Sequence, residues 1–196
     1  PEPSPSFVVA DAVVSTIAGG SFGNTVNDDS NSRFLRPMGV TLDFAGNIFV
    51  ADTGNHKIRK IDSVGKVTTF AGSFDGFVDE VESTKAQFSG PTSIVIDSKN
   101  NFYIADSKNN KIRKISFDNF VTTYSGSDEG FQDGTLTNAK YNQPGDLIID
   151  REGNFFITDT RNSSIRKIST FRVNTIHGDG SAGFTDAAGI EAKFNN

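Results

Sequence analysis

Three aspartates, Asp52, Asp106 and Asp159, stand at matching places in a block that the chain writes three times. Carboxylates repeated at a fixed interval could converge on an axis and hold a hard cation such as calcium, which is bound by several oxygen ligands. Each aspartate, however, closes a run of strand-forming residues. It is followed by Thr or Ser and, at the third position, by Asn55, Asn109 or Asn162. A carboxylate at such a strand end can accept hydrogen bonds from the N–H groups of the next turn, and a bond of this kind to a charged group contributes about 1.5–3 kcal/mol. The spacing therefore favours a structural use in every copy over a metal site.

A second acidic set lies between the copies: Asp28 and Asp29, then Asp75, Asp79 and Glu80, then Asp128, Glu129 and Asp133, and finally Asp179 and Asp186. Spacings such as Asp128-Glu-Gly-Phe-Gln-Asp133 do not follow an EF-hand loop, whose ligands alternate and end on Glu. A solvated acidic rim is expected. No cofactor is expected, and weak calcium binding is the one ionic role left open.

The basic residues recur as well, with Arg59 and Lys60, Arg113 and Lys114, and Arg166 and Lys167 inside the motif Ile-Arg-Lys-Ile. They predict charged side chains on an exposed strand, which protect it against edge pairing. A nucleic-acid reader would interleave such cations with aromatic stacking platforms. None is interleaved here, and 24 acidic against 19 basic side chains give a net charge of −5. Nucleic acid is therefore not expected as a partner. Catalysis finds little footing: His56 sits in a turn and is unmatched in the other copies, and His177 stands at a strand end. A zinc site would need three or four ligands at close spacing. The absence of cysteine removes disulfides, thiolate metal sites and a cysteine nucleophile. Asn162-Ser-Ser164 fits an N-glycosylation sequon on a turn.

The elements that must position these residues are short and β-like. Met38-Gly-Val-Thr-Leu-Asp43, Thr92-Ser-Ile-Val-Ile-Asp97 and Gly145-Asp-Leu-Ile-Ile-Asp150 each lead through a tight turn at Asn47, Asn101 or Asn154 into Ile48–Asp52 and its kin. Ile-Arg-Lys-Ile follows, and then Val67-Thr-Thr-Phe-Ala-Gly72 and its kin at 121–126 and 173–178. A fourth relative of this last piece, Val13–Gly19, precedes the first copy. β-Branched and aromatic residues ending in Gly read as a strand and its stop. Four short antiparallel strands at a period of about 53 residues describe a β-propeller blade. No helical periodicity competes. The connections, such as 73–90, repeat Phe77, Phe131 and Phe184 near their start. They repeat Phe34, Phe88, Tyr141 and Phe194 near their end. These aromatics are expected to pin each connection onto its blade.

On Pro37-Met-Gly-Val, Gly46-Asn-Ile-Phe-Val-Ala-Asp52-Thr-Gly-Asn-His-Lys-Ile-Arg-Lys-Ile61 and the closing Val-x-Thr-x-x-Gly, the chain resembles the NHL repeat family. Asn55-His56-Lys57 carries the name-giving pattern most closely, and the later copies have Asn110 and Ser163 at the His position. The resemblance implies a propeller of about six blades that serves as a protein- or RNA-interaction platform or, less often, as an enzyme. The converging His, Asp, Asn or Tyr set that such lyases or lactonases use has no match here.

The expected architecture is all-β: an NHL-type β-propeller with three four-stranded blades and an extra N-terminal strand. It would be a partial ring or part of a roughly six-bladed one. A Pro-rich tether spans 1–12 and the propeller segment 13–196, with repeats at about 20–72, 73–126 and 127–178 and a further repeat beginning at 179–196. A start at Pro1 reads as a processed chain or a piece of a longer one. The expected role is a non-enzymatic scaffold for a protein or glycan partner, extracellular or at the cell surface, with no membrane span. The alternatives are a fragment of a lyase- or lactonase-like propeller enzyme whose active residues lie outside this chain, and a subunit that completes a ring or fibre by self-association.

Overall fold

The computed structural model describes residues 13–25 and 32–195. The Pro-rich lead, Asp28, Asp29 and Asn196 lie outside them. Alternation of apolar and polar residues along short segments produces strands throughout. β1 (Pro37–Leu42), β2 (Ile48–Asp52), β3 (Lys57–Ile61) and β4 (Val67–Ala71) form one antiparallel sheet in that order. β5 (Pro91–Ile96), β6 (Phe102–Asp106), β7 (Lys111–Ile115) and β8 (Val121–Ser125) form the second. The third contains β10 (Pro144–Ile149), β11 (Phe155–Asp159), β12 (Ser164–Ser169) and β13 (Arg172–His177), extended by the two-residue β9 (Gly134–Thr135) on its outer edge. Proline opens the first strand of every sheet, a position where the missing N–H disturbs the ladder least.

The three sheets stack face on face. Because neighbouring side chains on a strand point to opposite faces, Phe102 and Tyr103 on β6 serve two different cores. Phe102 meets Phe49 and Phe70 of the first sheet, with ring centroids 4.5 and 5.0 Å apart. Tyr103 meets Phe155 of the third sheet at 4.6 Å. The first interface also buries Ala51, Ile58, Ile94 and Ile104, and the second Ala105, Ile112, Leu147 and Ile157. Edge-to-face ring pairs of this kind add about 0.5–1.5 kcal/mol beyond area burial. The connections belong to the same cores: Ala86 and Phe88 are buried in the first interface, and Ala139 and Tyr141 in the second.

The first strands of the three sheets lie side by side. At Gly39 a Cβ would come within 2.7 Å of the Ser93 backbone, so only glycine permits this approach. Thr53 Oγ1 donates to Pro91 O at 2.6 Å and Thr92 Oγ1 to Gly145 O at 2.6 Å, tying each sheet to the next at this inner edge. Gly72, Gly126 and Gly178 end the outer strands at φ of +93°, +107° and +81°, a region that L side chains avoid.

One expected element is missing. Val13–Gly19 forms no strand, and Val13, Val14 and Ile17 are exposed. Its three relatives each zip onto an Ile-Arg-Lys-Ile strand, and this chain contains no fourth copy for it to pair with.

The β1–β2 turn and its equivalents are clamped by a side-chain pair. Asp97 Oδ1 accepts from the N–H groups of Lys99 and Asn101, at 2.8 and 2.9 Å, and Oδ2 accepts from Asn101 Nδ2 at 2.8 Å. Asp43 with Asn47 and Asp150 with Asn154 repeat the arrangement. Burial works to raise the Asp97 carboxyl, but these bonds outweigh it and hold the group below its ordinary value. A carboxyl depressed by folding contributes stability that is present above its unfolded pKa and lost as pH falls through the folded one. The stability difference between wild type and Asp97→Asn is therefore expected to be full near about pH 6 and to close below about pH 4. Thermal unfolding of the two proteins across this range measures it.

Candidate functional site

The repeated aspartates do not converge on one another. Each is the centre of its own buried cluster, at the far end of the second strand from the Asp–Asn turn clamp. Asp106 is fully buried; its Oδ1 accepts from Ser89 N–H at 2.7 Å, and its Oδ2 accepts from Asn109 Nδ2 and the Arg113 guanidinium, each at 2.8 Å. Asp159 repeats this with Asn142 N–H, Asn162 Nδ2 and Arg166 at 2.7, 2.8 and 2.6 Å. Asp52 does so with Leu35 N–H and Asn55 at 2.7 and 2.8 Å, and with Arg59 at a longer 3.3 Å.

The hairpin register explains the pairing. Ile104 lies opposite Arg113 while Asp106 lies opposite Lys111, and a period of two puts Ile104 and Asp106 on one face. Arg113 thus reaches diagonally to the carboxylate.

The three arginines overturn an expectation. Arg59, Arg113 and Arg166 are completely buried rather than displayed on a basic face. Each guanidinium serves the connection folded over it. Arg113 bonds Gln87 O and Val78 O at 2.9 Å and lies over the Phe77 and Phe88 rings at 4.8 and 5.1 Å. Arg166 bonds Lys140 O and Gln132 O and lies over Phe131 and Tyr141. Of the paired cations only the lysines reach outward, where Lys60, Lys114 and Lys167 lie over Phe49, Tyr103 and Phe156.

Two acids of the expected solvated rim are framework groups as well. Asp79 bonds Arg113 at 2.5 Å and Thr123 N–H at 2.9 Å; Asp133 bonds Arg166 at 2.8 Å and Thr175 N–H at 3.0 Å. Burial works to raise the Asp133 carboxyl, but the Thr175 and Arg166 bonds outweigh it and leave it below its ordinary value. The cluster aspartates move the other way. Burial pushes Asp106 up to about 6 against the pull of Asn109, Arg113 and Ser89, and it raises Asp52 and Asp159 too.

The sequon residue Asn162 lies within the same geometry. Asn162 is 8% exposed, and its Nδ2 donates to Gly130 O and to Asp159, each at 2.8 Å. A sugar on that nitrogen would break one of these bonds. Among the described residues no group of three or more His, Asp or Glu is arranged to hold a metal. No helix among them is long and apolar enough to cross a membrane.

Open space lies at the inner edge, where the turn after each second strand meets the next sheet. A cleft of about 650 Å³ between the first and second sheets is lined by Arg36, Thr53, His56, Gly90 and Lys108. Its neighbour between the second and third, about 450 Å³, is lined by Thr92, Ser107, Gln143, Asp146 and Thr160. Sequence reasoning had no means of finding either cleft, because its walls come from separate repeats.

Three face-stacked, four-stranded antiparallel sheets with an ordered connection docked on each are blades of a β-propeller. The NHL repeat family pattern matches residues 34–61 and 88–115, which lie in the first two of these blades and the connections leading into them. The chain is similar to Protein SUPPRESSOR OF QUENCHING 1, chloroplastic, of Arabidopsis thaliana, at 26% identity over 176 residues, which cover 83% of this chain and 17% of that protein. It is also similar to NHL repeat-containing protein 2 of Homo sapiens, at 32% identity over 102 residues, 50% of this chain and 14% of that one. It thus spans less than a fifth of the length of either relative. Among solved structures it is similar to an auxiliary nutrient binding protein from Bacteroides ovatus, with a TM-score of 0.63, 22% identity, and coverage of 76% of this chain and 39% of that one. A Bacteroides thetaiotaomicron protein of unknown function gives 0.54 at 19% identity, covering 92% and 68%. At these identities the likeness speaks for the fold alone.

The buried pair makes a sharp prediction. Asp106→Ala leaves the buried Arg113 with only the part-exposed Asp79 as a counter-charge and is expected to destabilise by up to about 3–5 kcal/mol, whereas replacing both partners with apolar residues (D106L/R113M) is expected to destabilise less than the single change. Urea denaturation of the three proteins reads the difference.

Proposed function

We propose that this chain is a non-enzymatic interaction scaffold, extracellular or at the cell surface, whose stacked blades hold rim loops in fixed positions for a protein or glycan partner. The observation that carries the reading is the saturation of the repeated clusters. Both oxygens of Asp52, Asp106 and Asp159 accept bonds from the chain itself, and each partner arginine holds a connection in place. Residues repeated in every blade are thereby committed to rigidity, and a carboxylate bonded on both oxygens is poorly placed to take a substrate's proton. Placement at the surface rests on the Pro-rich segment 1–6, whose composition suits an extended tether. The purified chain is expected to bind a defined glycan or surface protein saturably on an array, and to turn over no lactone, glycan or peptide-amide substrate. Turnover by the intact chain would overturn the reading in favour of an enzyme.

A second reading, self-association into a ring, is favoured by the two outer faces. Val40 and Leu42 are 65% and 58% exposed, whereas their counterpart Ile94 is 2% exposed and Ile96 packs in the first interface. Ile148 on the third blade is 57% exposed, whereas its counterpart Val95 packs in the second interface. The third blade of one copy therefore offers the first blade of another the kind of surface that already joins neighbouring blades. Light scattering is expected to show an oligomer that Val40→Lys dissociates. A wild-type monomer with a well-dispersed spectrum would remove this reading.

A further inference from the structure

The cleft between the first two blades differs from its neighbour in charge. Arg36 and Lys108 line it, and among the described residues neither side chain has a hydrogen bond or an ion pair. The Lys108 stem runs over Gly90 so closely that a Cβ there would meet its Cγ, Cδ and Cε at 3.3–3.4 Å. Arg36 occupies the left-handed region at φ 52°, where the second blade has Gly90 and the third has Gln143. A long side chain in that region is unfavourable and persists only where its surroundings fix it.

His56 supplies a ring nitrogen. Its Nδ1 lies 3.1 Å from the Gly90 N–H and accepts from it. Nδ1 also lies 3.3 Å from Asp75 Oδ1, so both contacts engage that nitrogen and Nε2 is the ring nitrogen left to donate to a ligand. Asp75 is the carboxylate that faces the ring, and it stands on the Nδ1 side. The neighbouring cleft lacks this combination: Gly90 stands where Arg36 does, Gln143 replaces Gly90 and donates its N–H to Asn110 at 2.8 Å in place of His56, Arg161 is the counterpart of Lys108 but is outside the lining, and Asp146 brings a negative charge into it.

We propose that the cleft between the first and second blades binds a small oxyanion, a phosphate or carboxylate group of a ligand. Arg36 and Lys108 supply the positive charge, and His56 Nε2–H is a directed donor. Guanidinium and ammonium groups that converge on an oxyanion form charge-assisted bonds roughly twice as strong as neutral ones. The site is independent of the scaffold reading: a macromolecular partner on the rims neither requires it nor excludes it.

The test is an NMR titration of the ¹⁵N-labelled chain with inorganic phosphate and, separately, with glucuronate, at constant ionic strength set with chloride. The Gly90 amide and the His56 ring are expected to shift saturably, while the Gln143 amide of the neighbouring cleft stays still. The double variant R36G/K108Q is expected to weaken the apparent affinity about tenfold or more. Glycine suits the backbone at position 36 and Lys108 is exposed, so the variant's spectrum should otherwise match wild type. Saturation with phosphate alone assigns a phosphorylated ligand, and saturation with glucuronate alone assigns an acidic sugar. Shifts that never saturate, that persist unchanged in R36G/K108Q, or that appear equally at Gln143 would overturn the proposal.

Discussion

The buried contact between an aspartate and an arginine seven residues later is what the rest of this structure depends on. A guanidinium sealed from water is tolerated only with its charge matched and its donors used. Asp106 and Asp159 provide the match. Further donors of Arg113 and Arg166 go to carbonyls of the connection and to Asp79 or Asp133, although the buried Arg166 Nε has no partner among the described residues. The ion pair therefore fixes three things together: the hairpin that carries both residues, the turn between them, and the long connection folded over them. The Phe77 and Phe88 rings on Arg113, and Phe131 and Tyr141 on Arg166, close each cluster with aromatic surface.

This arrangement turns a linker into part of a blade. Ala86 with Phe88 and Ala139 with Tyr141 are as deeply buried as any strand residue. Each interface between blades thus comprises two sheets and the connection wedged between them. The surface left for other molecules is the rim, where loops are held from below by packed strands, together with the clefts at the inner edge. Rigidity at the clusters and openness at the rim are complementary properties, because the residues that make the frame stiff are unavailable for chemistry.

Much of the fold is legible in the residues themselves. The strands of the three blades follow from alternation, from Gly-Asn and Asn-Asn turns, and from Gly72, Gly126 and Gly178 at the strand stops. Val13–Gly19 has the same local composition as the outer strands yet forms none, because a strand needs a neighbour and composition does not supply one. The sites were legible only in part. Asp106 as a hydrogen-bonded structural acceptor could be read from its place at a strand end, but its backbone donor is Ser89 of the connection and not an N–H of the next turn. Arg113 as its partner could not, since a charged residue beside Lys114 looks solvated until the connection is seen to cover it. The repeated seven-residue interval from Asp to Arg was the available signal. Combined with the hairpin register it places both side chains on one face. The burial of Asn162 was hidden for the same reason, since a sequon is a local pattern and burial is not.

By itself the sequence determined the local elements and their repetition, because backbone preference and the two-residue alternation of side chains act between near neighbours. The tertiary structure decided which charged groups are interior, which acids of the connections are bonded, and which cations stand free beside a cleft. Those outcomes rest on water exclusion, and water is excluded only when segments from separate repeats close over the same atoms.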